Sequence, residues 1–214
     1  MNAGGQLGAD VSALSEEMAI RALVAQWAFS RDQGAWDDLL ACYHNDGVMS
    51  VSWFDGPAAE FVARSQSLAA ARGPGDWSKH FLGVTRVHRA GNRALAETDA
   101  VILTRGKIGG IAADTTTYSR FFDRIERRGT TWRILHRTAI YERDRIDPVV
   151  PDPGWPGVFA TLDFSGLPEG CKHLGAALRQ RGRALVPNLV MANSEAERRL
   201  KAAGRAWLEG GAGA

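Results

Sequence analysis

The hydrophobic pattern of the first third of the chain is helical. A long helix is predicted from Ser15, which can cap it, to about Asp32, and four residues form its apolar face: Ile20, Leu23, Val24 and Trp27. The following pattern predicts a short helix, a first strand and a further helix, at residues 35–43, 48–53 and 58–71. Residues 1–13 precede these elements and are predicted to be flexible, because this segment is rich in glycine.

The pattern changes to strands in the middle of the chain. Apolar and polar residues alternate in four segments, at residues 79–89, 94–105, 115–126 and 131–141. Their connections are short and rich in glycine, which is typical of antiparallel hairpins. Helices followed by a meander predict an α+β fold, in which a strongly bent antiparallel sheet packs on the amino-terminal helices and leaves a cavity for a small ligand.

The composition changes again after residue 142. Four prolines predict an extended connector, Pro148, Pro151, Pro153 and Pro156. Two amphipathic helices are predicted beyond it, at residues 170–183 and 194–209. We therefore predict one domain over residues 14–142, with residues 143–214 packed on it or on a partner chain. A homodimer is favoured, in which this tail covers the pocket mouth or forms the interface.

Charge and composition narrow the class of protein. The 214 residues include 26 basic and 24 acidic ones, mixed along the chain, and the net charge is +2. Mixed charge without a recognition motif argues against nucleic acid, and the basic residues at 120–137, interleaved with Asp123, are interpreted as a solvated sheet face. No leader or membrane-spanning run is evident, and the two cysteines have no redox or metal spacing. A cytoplasmic protein without a membrane partner is expected.

Asp32 is the first candidate for chemistry. It lies in the last turn of the first helix, just before Gly34 and close in sequence to aromatic residues. The partial negative charge of the helix carboxyl end and burial beside rings both favour the protonated form of a carboxyl. Asp32 is therefore expected to be a stronger base than an ordinary aspartate, unless the charge of neighbouring Arg31 offsets these effects. The alternative is a solvated turn residue before a glycine.

His80 is the second candidate, at the start of the first long strand. At the mouth end of a concave sheet, opposite a helix that ends in Asp32, it could pair with that carboxylate. Such a pair forms an acid/base dyad, in which one group moves a proton and the other fixes its orientation and charge. A surface or structural histidine is the alternative. We expect the two side chains within hydrogen-bond reach in one pocket.

Several segments in this order resemble a known family: Arg31-Asp-Gln-Gly-Ala-Trp-Asp-Asp-Leu39, Gly56-Pro-Ala-Ala-Glu-Phe-Val62, His80-Phe-Leu-Gly-Val-Thr-Arg86 and Trp132-Arg-Ile-Leu-His-Arg137. Over residues 14–142 the chain resembles the SnoaL-like branch of the nuclear transport factor 2-like superfamily, and scytalone dehydratase in particular. The resemblance implies a cone-shaped α+β barrel with a deep pocket. It also implies an Asp–His pair at the positions of Asp32 and His80.

The sequence departs from scytalone dehydratase at several pocket positions. Arg31 stands where that enzyme has a tyrosine before the aspartate, and Arg105 falls where it has a second pocket histidine. Thr116 and Tyr118 correspond most nearly to its Ser and Asn pair. Dehydration of a polyphenol is therefore not transferred to this chain. The two arginines suggest a substrate with a carboxylate, a phenolate or a developing oxyanion, unless they are surface residues.

Further pocket residues are predicted from the strand pattern and from the aromatic content. Seven tryptophans indicate a pocket for a flat or apolar ligand or simply a ring-rich core, and Trp53, Phe54 and Trp77 are chosen as walls. Tyr118 could reach inward as a proton donor or pack in the core. His136 is included as a substrate-binding candidate, with a satisfied core histidine as its alternative.

The function that these features favour is a lyase without a cofactor. The five histidines lack metal-ligand spacing and no phosphate or dinucleotide motif is present. Acid/base catalysis by Asp32 and His80 on a small aromatic or polycyclic compound, releasing water or a fragment such as formaldehyde, is the first reading. An isomerase or polyketide cyclase in the same pocket is the second. A non-catalytic binding or assembly module, such as a small oxygenase subunit, is the third.

Overall fold

A computed structural model describes residues 3–210, with side chains from residue 11 onward. Within this range there are six helices: α1 (Ala3–Gln33), α2 (Trp36–Ala41), α3 (Ala58–Ala70), α4 (Trp155–Ala160), α5 (Lys172–Gln180) and α6 (Glu195–Leu208). The strands are β1 (Tyr43–Val51), β2 (Phe54–Pro57), β3 (Trp77–Ala90), β4 (Arg93–Ile108), β5 (Ile111–Arg128), β6 (Thr131–Pro148) and β7 (Val190–Met191). A single 3₁₀ turn, Glu169–Cys171, leads directly into α5.

The strands form one curved, unclosed sheet in the order β2-β1-β6-β5-β4-β3. The four long strands β3 to β6 pair as consecutive antiparallel hairpins, as their short glycine-rich connections predict. Strand β1 joins the other edge of β6 in parallel, and β7 also runs parallel to β6. The predicted α+β cone, with helices on a bent sheet, is confirmed.

The core lies between the concave face of the sheet and the amino-terminal helices. Helix α1 contributes Ile20, Val24 and Trp27, all at most 1% exposed, and α3 contributes Phe61. The 3- and 4-residue spacing of the α1 residues keeps them on one side of the helix, as the sequence pattern predicts. Packing of these side chains fixes the end of α1 against the start of β3, where the candidate dyad lies.

Two local predictions about the amino-terminal half are wrong. Helix α1 begins at Ala3 rather than at Ser15, although glycine in residues 3–14 disfavours a helix; residues 1 and 2 lie outside the described range. The segment Asn45-Asp46-Gly47, predicted as a turn, lies within β1. The pairing of β1 with β6 shifts register between Tyr43 and Val48, so this turn-like sequence forms an irregularity within a strand.

The carboxyl-terminal segment packs on both faces of the sheet. Helix α5 joins a cluster with the far ends of β4, β5 and β6, where Ile108, Ala113 and Ile146 contact Ala176 and Ala177. Helix α6 packs on the convex face. There its Trp207 joins a cluster formed by Leu95, Phe122, Ile140 and Val190. Side chains alternate along a strand, so these residues point away from neighbours such as Phe121 and Ala139, which belong to the concave core.

Gly204 sets how closely α6 approaches the sheet. A Cβ at this position would lie 2.7 Å from the ring of Phe122, a buried residue. We expect Gly204→Ala to lower the free energy of unfolding by roughly 1–3 kcal/mol, the usual cost of overpacking. The matched control is Gly157→Ala in α4, where a Cβ would meet nothing within 4 Å.

Thermal or urea unfolding of the two variants measures the difference. Alanine favours a helix by about 1 kcal/mol over glycine, so Gly157→Ala should be neutral or stabilising. Equal stabilisation by both substitutions would show that α6 does not pack closely against Phe122 at Gly204.

Candidate active site

A cavity of about 520 Å³ opens between the concave face of the sheet, α1, α3 and α5. Its apolar wall includes four aromatic rings, three from α1, α3 and β5 and one from the turn between β1 and β2: Trp27, Phe61, Phe121 and Trp53. Trp53 stacks on Phe61 at 5.4 Å, and Trp27 stacks on Phe61 at 6.2 Å. This volume suits a small molecule, and the rings provide flat apolar surfaces against which it can lie.

Asp32 and His80 are hydrogen-bonded at this cavity. His80 Nδ1 donates to Asp32 Oδ1 at 2.6 Å, and the His80 backbone N–H donates to Asp32 Oδ2 at 2.9 Å. Lys79 Nζ lies 3.5 Å from the same Oδ2. The predicted geometry is therefore present, because the end of α1 brings the Asp32 carboxylate to the start of β3. His80 lines the cavity, whereas the Asp32 side chain, 2% exposed, lies behind it.

The electrostatics of the pair differ from the expectation for Asp32. Burial raises the pKa of its carboxyl, but the hydrogen bonds and charge of His80, together with Lys79, offset this, and the pKa falls below its ordinary value of 3.8. The prediction that Asp32 is an unusually strong base is wrong, because the partner that accompanies burial holds the carboxylate ionised. Asp32 can orient and stabilise, but it is poorly suited to take a proton.

His80 has the properties expected of a base. Burial lowers the pKa of its imidazole, and the charges of Arg31 and Arg137 act in the same direction, whereas Asp32 raises it; the pKa lies below the ordinary 6.5. The ring is therefore neutral at pH 7. Because the ionised carboxylate accepts from Nδ1, the proton of the neutral ring is on Nδ1. Nε2 is left as the lone-pair nitrogen, and it has no hydrogen-bond partner among the described residues.

Rings and a buried ion pair hold His80 in place. Trp27 contacts it edge-on at 5.5 Å, and Trp27 Nε1 donates to the Tyr43 hydroxyl at 2.8 Å. Arg137 lies 4.3 Å from the Trp27 ring and pairs with Asp123 at 2.6 and 2.7 Å, with both side chains fully buried. The interpretation of these two charges as part of a solvated face is wrong. Only the sheet register, which places them directly opposite on β5 and β6, reveals the pair.

Arg31 and Trp77 also lie where they were predicted, in the cavity wall with Trp53. Arg105 is at the mouth, where it donates to both carboxylate oxygens of Asp114 at 2.8 and 2.7 Å. It is therefore already paired. Other cationic side chains of the wall were not predicted, because they come from a loop, from β4 and from the carboxyl-terminal segment: Arg72, Lys107, Arg181 and Arg183.

Thr116 and Tyr118 do not face the cavity, and the prediction that Tyr118 reaches inward is wrong. Thr116 lies opposite Arg145 in the sheet, and Arg143 stacks on the Tyr118 ring at 5.2 Å. Thr115 and Thr117 line the cavity instead. Alternation along β5 gives this result once one inward residue is known, but the sequence alone does not fix which set faces inward.

Phe54 and His136 lie outside the cavity wall. Phe54 is 3% exposed and packs behind Trp53 and Phe61 at ring distances of 6.0 and 5.8 Å. His136 Nε2 lies 3.2 Å from the Ser50 hydroxyl, and burial lowers the pKa of its ring. Both predictions of direct substrate contact are therefore wrong; the alternative for His136, a satisfied structural histidine, describes it.

The described residues contain neither a metal-ligand cluster nor a membrane-spanning helix. No three His, Cys, Asp or Glu side chains within residues 3–210 converge as a metal site requires. None of the helices in this part of the chain has the length and apolar content needed to cross a bilayer.

Known proteins with similar sequences or similar folds can be identified. An uncharacterized protein of Emericella nidulans is 28% identical over 170 residues, which span 74% of this chain and 68% of the relative. A scytalone dehydratase-like protein of Novosphingobium aromaticivorans has the same fold at 13% identity, with a TM-score of 0.53 over 67% of this chain and 93% of its own.

A second solved structure, a hexachlorocyclohexane dehydrochlorinase, aligns at 14% identity with a TM-score of 0.54 over 68% of this chain and 99% of its own. The SnoaL-like domain family matches residues 12–138, which contain Asp32, His80 and the sheet up to the middle of β6. The chain therefore belongs to the SnoaL-like domain family and has the cone-shaped fold of the nuclear transport factor 2-like superfamily.

Proposed function

We propose that the protein is a cofactor-independent lyase in which His80 is the general base and Asp32 is its positioning residue. The observation that carries this proposal is the single orientation of His80. Its Nδ1 is held by an ionised carboxylate at 2.6 Å, and its ring lines a cavity walled by aromatic side chains. This arrangement presents a neutral nitrogen base to a small ligand and requires no rearrangement before a proton moves.

The elimination follows from these roles. His80 Nε2 takes a proton from a carbon or hydroxyl of the substrate, and the electron pair left behind forms a new double bond as the leaving group departs from the neighbouring atom. The imidazolium that forms is stabilised by Asp32 across the Nδ1 hydrogen bond. The same imidazolium can return its proton to a leaving hydroxide, so that water is released and the neutral base is restored.

The aromatic wall supports a small aromatic or polycyclic substrate. A flat ring can lie against Trp27, Phe61 and Phe121, which border the cavity together with His80. The names of two solved relatives, a dehydratase-like protein and a dehydrochlorinase, describe eliminations. Dehydration and dehydrochlorination each remove a proton together with a leaving group, and removal of the proton is the step that the dyad is proposed to perform here.

Exchange of substrate hydrogen in D₂O tests the proposed base without knowledge of the leaving group. A panel of aromatic and polycyclic compounds with acidic C–H bonds, 2-tetralone among them, is incubated with the protein and followed by mass spectrometry. Deuterium uptake supports the proposed base, and loss of a small fragment supports the lyase. Uptake with rearrangement but no fragment loss indicates an isomerase or cyclase. Binding of panel members without exchange or product would instead support a non-catalytic module.

A further inference from the structure

The Arg31 guanidinium pairs with no carboxylate of the described residues, although Asp76 also lines the cavity. It makes no hydrogen bond or ion pair with any described residue, and its Nη1 is fully buried without a partner. Its central carbon lies 5.8 Å from the centre of the Trp36 ring. A buried polar nitrogen without a partner is costly and rare in folded proteins. The site is therefore short of one hydrogen-bond acceptor.

The adjacent acid does not supply it. Asp32 Oδ1 accepts from His80 Nδ1, and Oδ2 accepts from the His80 backbone and lies near Lys79. Both oxygens are thus used on the side of β3. The local sequence Arg31-Asp32 looks like an ion pair, but the fold pairs Asp32 with His80 and leaves Arg31 beside the Trp36 ring.

A second cation approaches Arg31 instead. Burial, followed by the charge of Arg72, lowers the pKa of Arg31 to about 10. Arg72 also lines the cavity, and its Nη2 donates to the Ser78 hydroxyl at 2.5 Å, which orients its guanidinium. The charge of Asp32 offsets part of this repulsion, and Asp76 also lines the cavity. Neither carboxylate pairs with Arg31 or Arg72, so a bound anion would relieve the repulsion that remains.

We propose that Arg31 and Arg72 together bind a carboxylate carried by an aromatic substrate. A carboxylate has two oxygens and is planar, so it can accept from both guanidinium groups at once. Its ring then lies along Trp27 and Phe61, beside His80. The identification of this ligand as the substrate rests on the proposed function, whereas the anion subsite itself does not.

This subsite differs from the one that the sequence favours. Arg31 and Arg105 were the expected pair, but Arg105 is satisfied by Asp114 at the mouth. Arg72 replaces it, and its position in the loop between α3 and β3 gives no sequence signal for such a role.

Calorimetric titration with benzoate and with its neutral isostere benzamide tests the subsite on the full-length protein. The 2-naphthoate and 2-naphthamide pair provides a larger ring. The wild type should prefer each carboxylate over its amide, and Arg31→Met should reduce carboxylate affinity roughly 10- to 100-fold, the usual loss for a hydrogen bond to a charged group. Arg72→Gln should reduce it in the same direction. Arg145→Gln is the matched control, because Arg145 is exposed and paired with Asp147 away from the cavity.

A stability measurement distinguishes a binding role from a structural one. Arg31→Met removes an unpaired buried charge and keeps a side chain that can pack on Trp36. The ligand-free variant should therefore melt about 2–4 °C above the wild type. A lower melting temperature with unchanged preference for carboxylates would mean that Arg31 is structural, and this inference would be wrong.

The proposed anion subsite and the proposed catalytic dyad can be contradicted by different results. His80→Gln should keep the preference for carboxylates, because the substitution alters neither Arg31 nor Arg72. Equal binding of carboxylate and amide, or binding of neither, by the wild type overturns the subsite whatever the catalytic result. Carboxylate binding that depends on Arg31, in a protein that exchanges no substrate hydrogen, retains the subsite and overturns the proposed lyase.

Discussion

Replacing His80 by glutamine should lower the rate of hydrogen exchange or elimination by about 10²- to 10⁴-fold, the usual contribution of a positioned general base. The amide keeps the size and polarity of the ring but cannot accept a proton at neutral pH. Asp32→Asn should lower the rate in the same direction, because an amide cannot stabilise the imidazolium and can favour the other tautomer. Rates are compared at saturating substrate, with circular dichroism showing that both variants fold.

The pH profile separates loss of the base from loss of structure. The wild-type rate should rise with pH and level off above 6.5, because the pKa of His80 is depressed below that value and only the neutral ring can accept a proton. The rate of the His80→Gln variant should not show this rise with pH. A control variant, His136→Gln, changes a half-buried histidine outside the cavity and should keep both the rate and the profile. Turnover at the wild-type rate in His80→Gln would show that another residue is the general base.

Removing residues 154–214 should abolish ligand binding and destabilise the protein strongly. Helix α5 supplies part of the cavity wall through Leu174, Ala177 and Leu178, and α6 covers Leu95 and Phe122 on the convex face. Uncovering a large apolar side chain costs about 1.5–3 kcal/mol. With several exposed together, the melting temperature should fall by about 10 °C or more.

A shorter deletion provides the control. Removing residues 193–214 takes away α6 but leaves α5, so stability should fall while benzoate binding is retained. Loss of binding in both truncations would show that α5 is not sufficient to complete the cavity. Unchanged stability and binding in the longer truncation would show the tail to be dispensable. The mass of each protein in solution also tests the predicted homodimer, which stays a prediction.

Local patterns predicted the elements that place the dyad. The 3- and 4-residue spacing of Ile20, Val24 and Trp27 predicted the helix that carries Asp32, and alternation predicted the strand that begins near His80. The glycine-rich turns predicted the order of the long strands. The pairing of Asp32 with His80 also relied on the family resemblance, because two residues 48 positions apart carry no mutual signal in one sequence.

The features that sequence patterns did not predict depend on partners or on the choice of face. Burial and a helix end predicted a raised pKa for Asp32, but the hydrogen bonds that reverse it come from another element. Alternation of Thr116 and Tyr118 with Thr115 and Thr117 was visible, whereas the inward set depends on packing across the sheet. Arg72 entered the site through a loop, and a loop has no periodic pattern from which its side-chain directions follow.

The state of His80 in solution tests the account most directly, because the proposed mechanism requires a neutral ring with its proton on Nδ1. Long-range ¹H–¹⁵N spectra recorded over a pH titration report both the tautomer and the pKa of each histidine. His173 makes a similar contact with Asp144, with its Nδ1 2.8 Å from the carboxylate, so the His80 signals are assigned by their absence in His80→Gln. The account predicts an Nδ1-protonated neutral ring at pH 7 and a pKa below 6.5, with the tautomer preference weakened in Asp32→Asn. A charged imidazolium at pH 7, or a neutral ring protonated on Nε2, would contradict it.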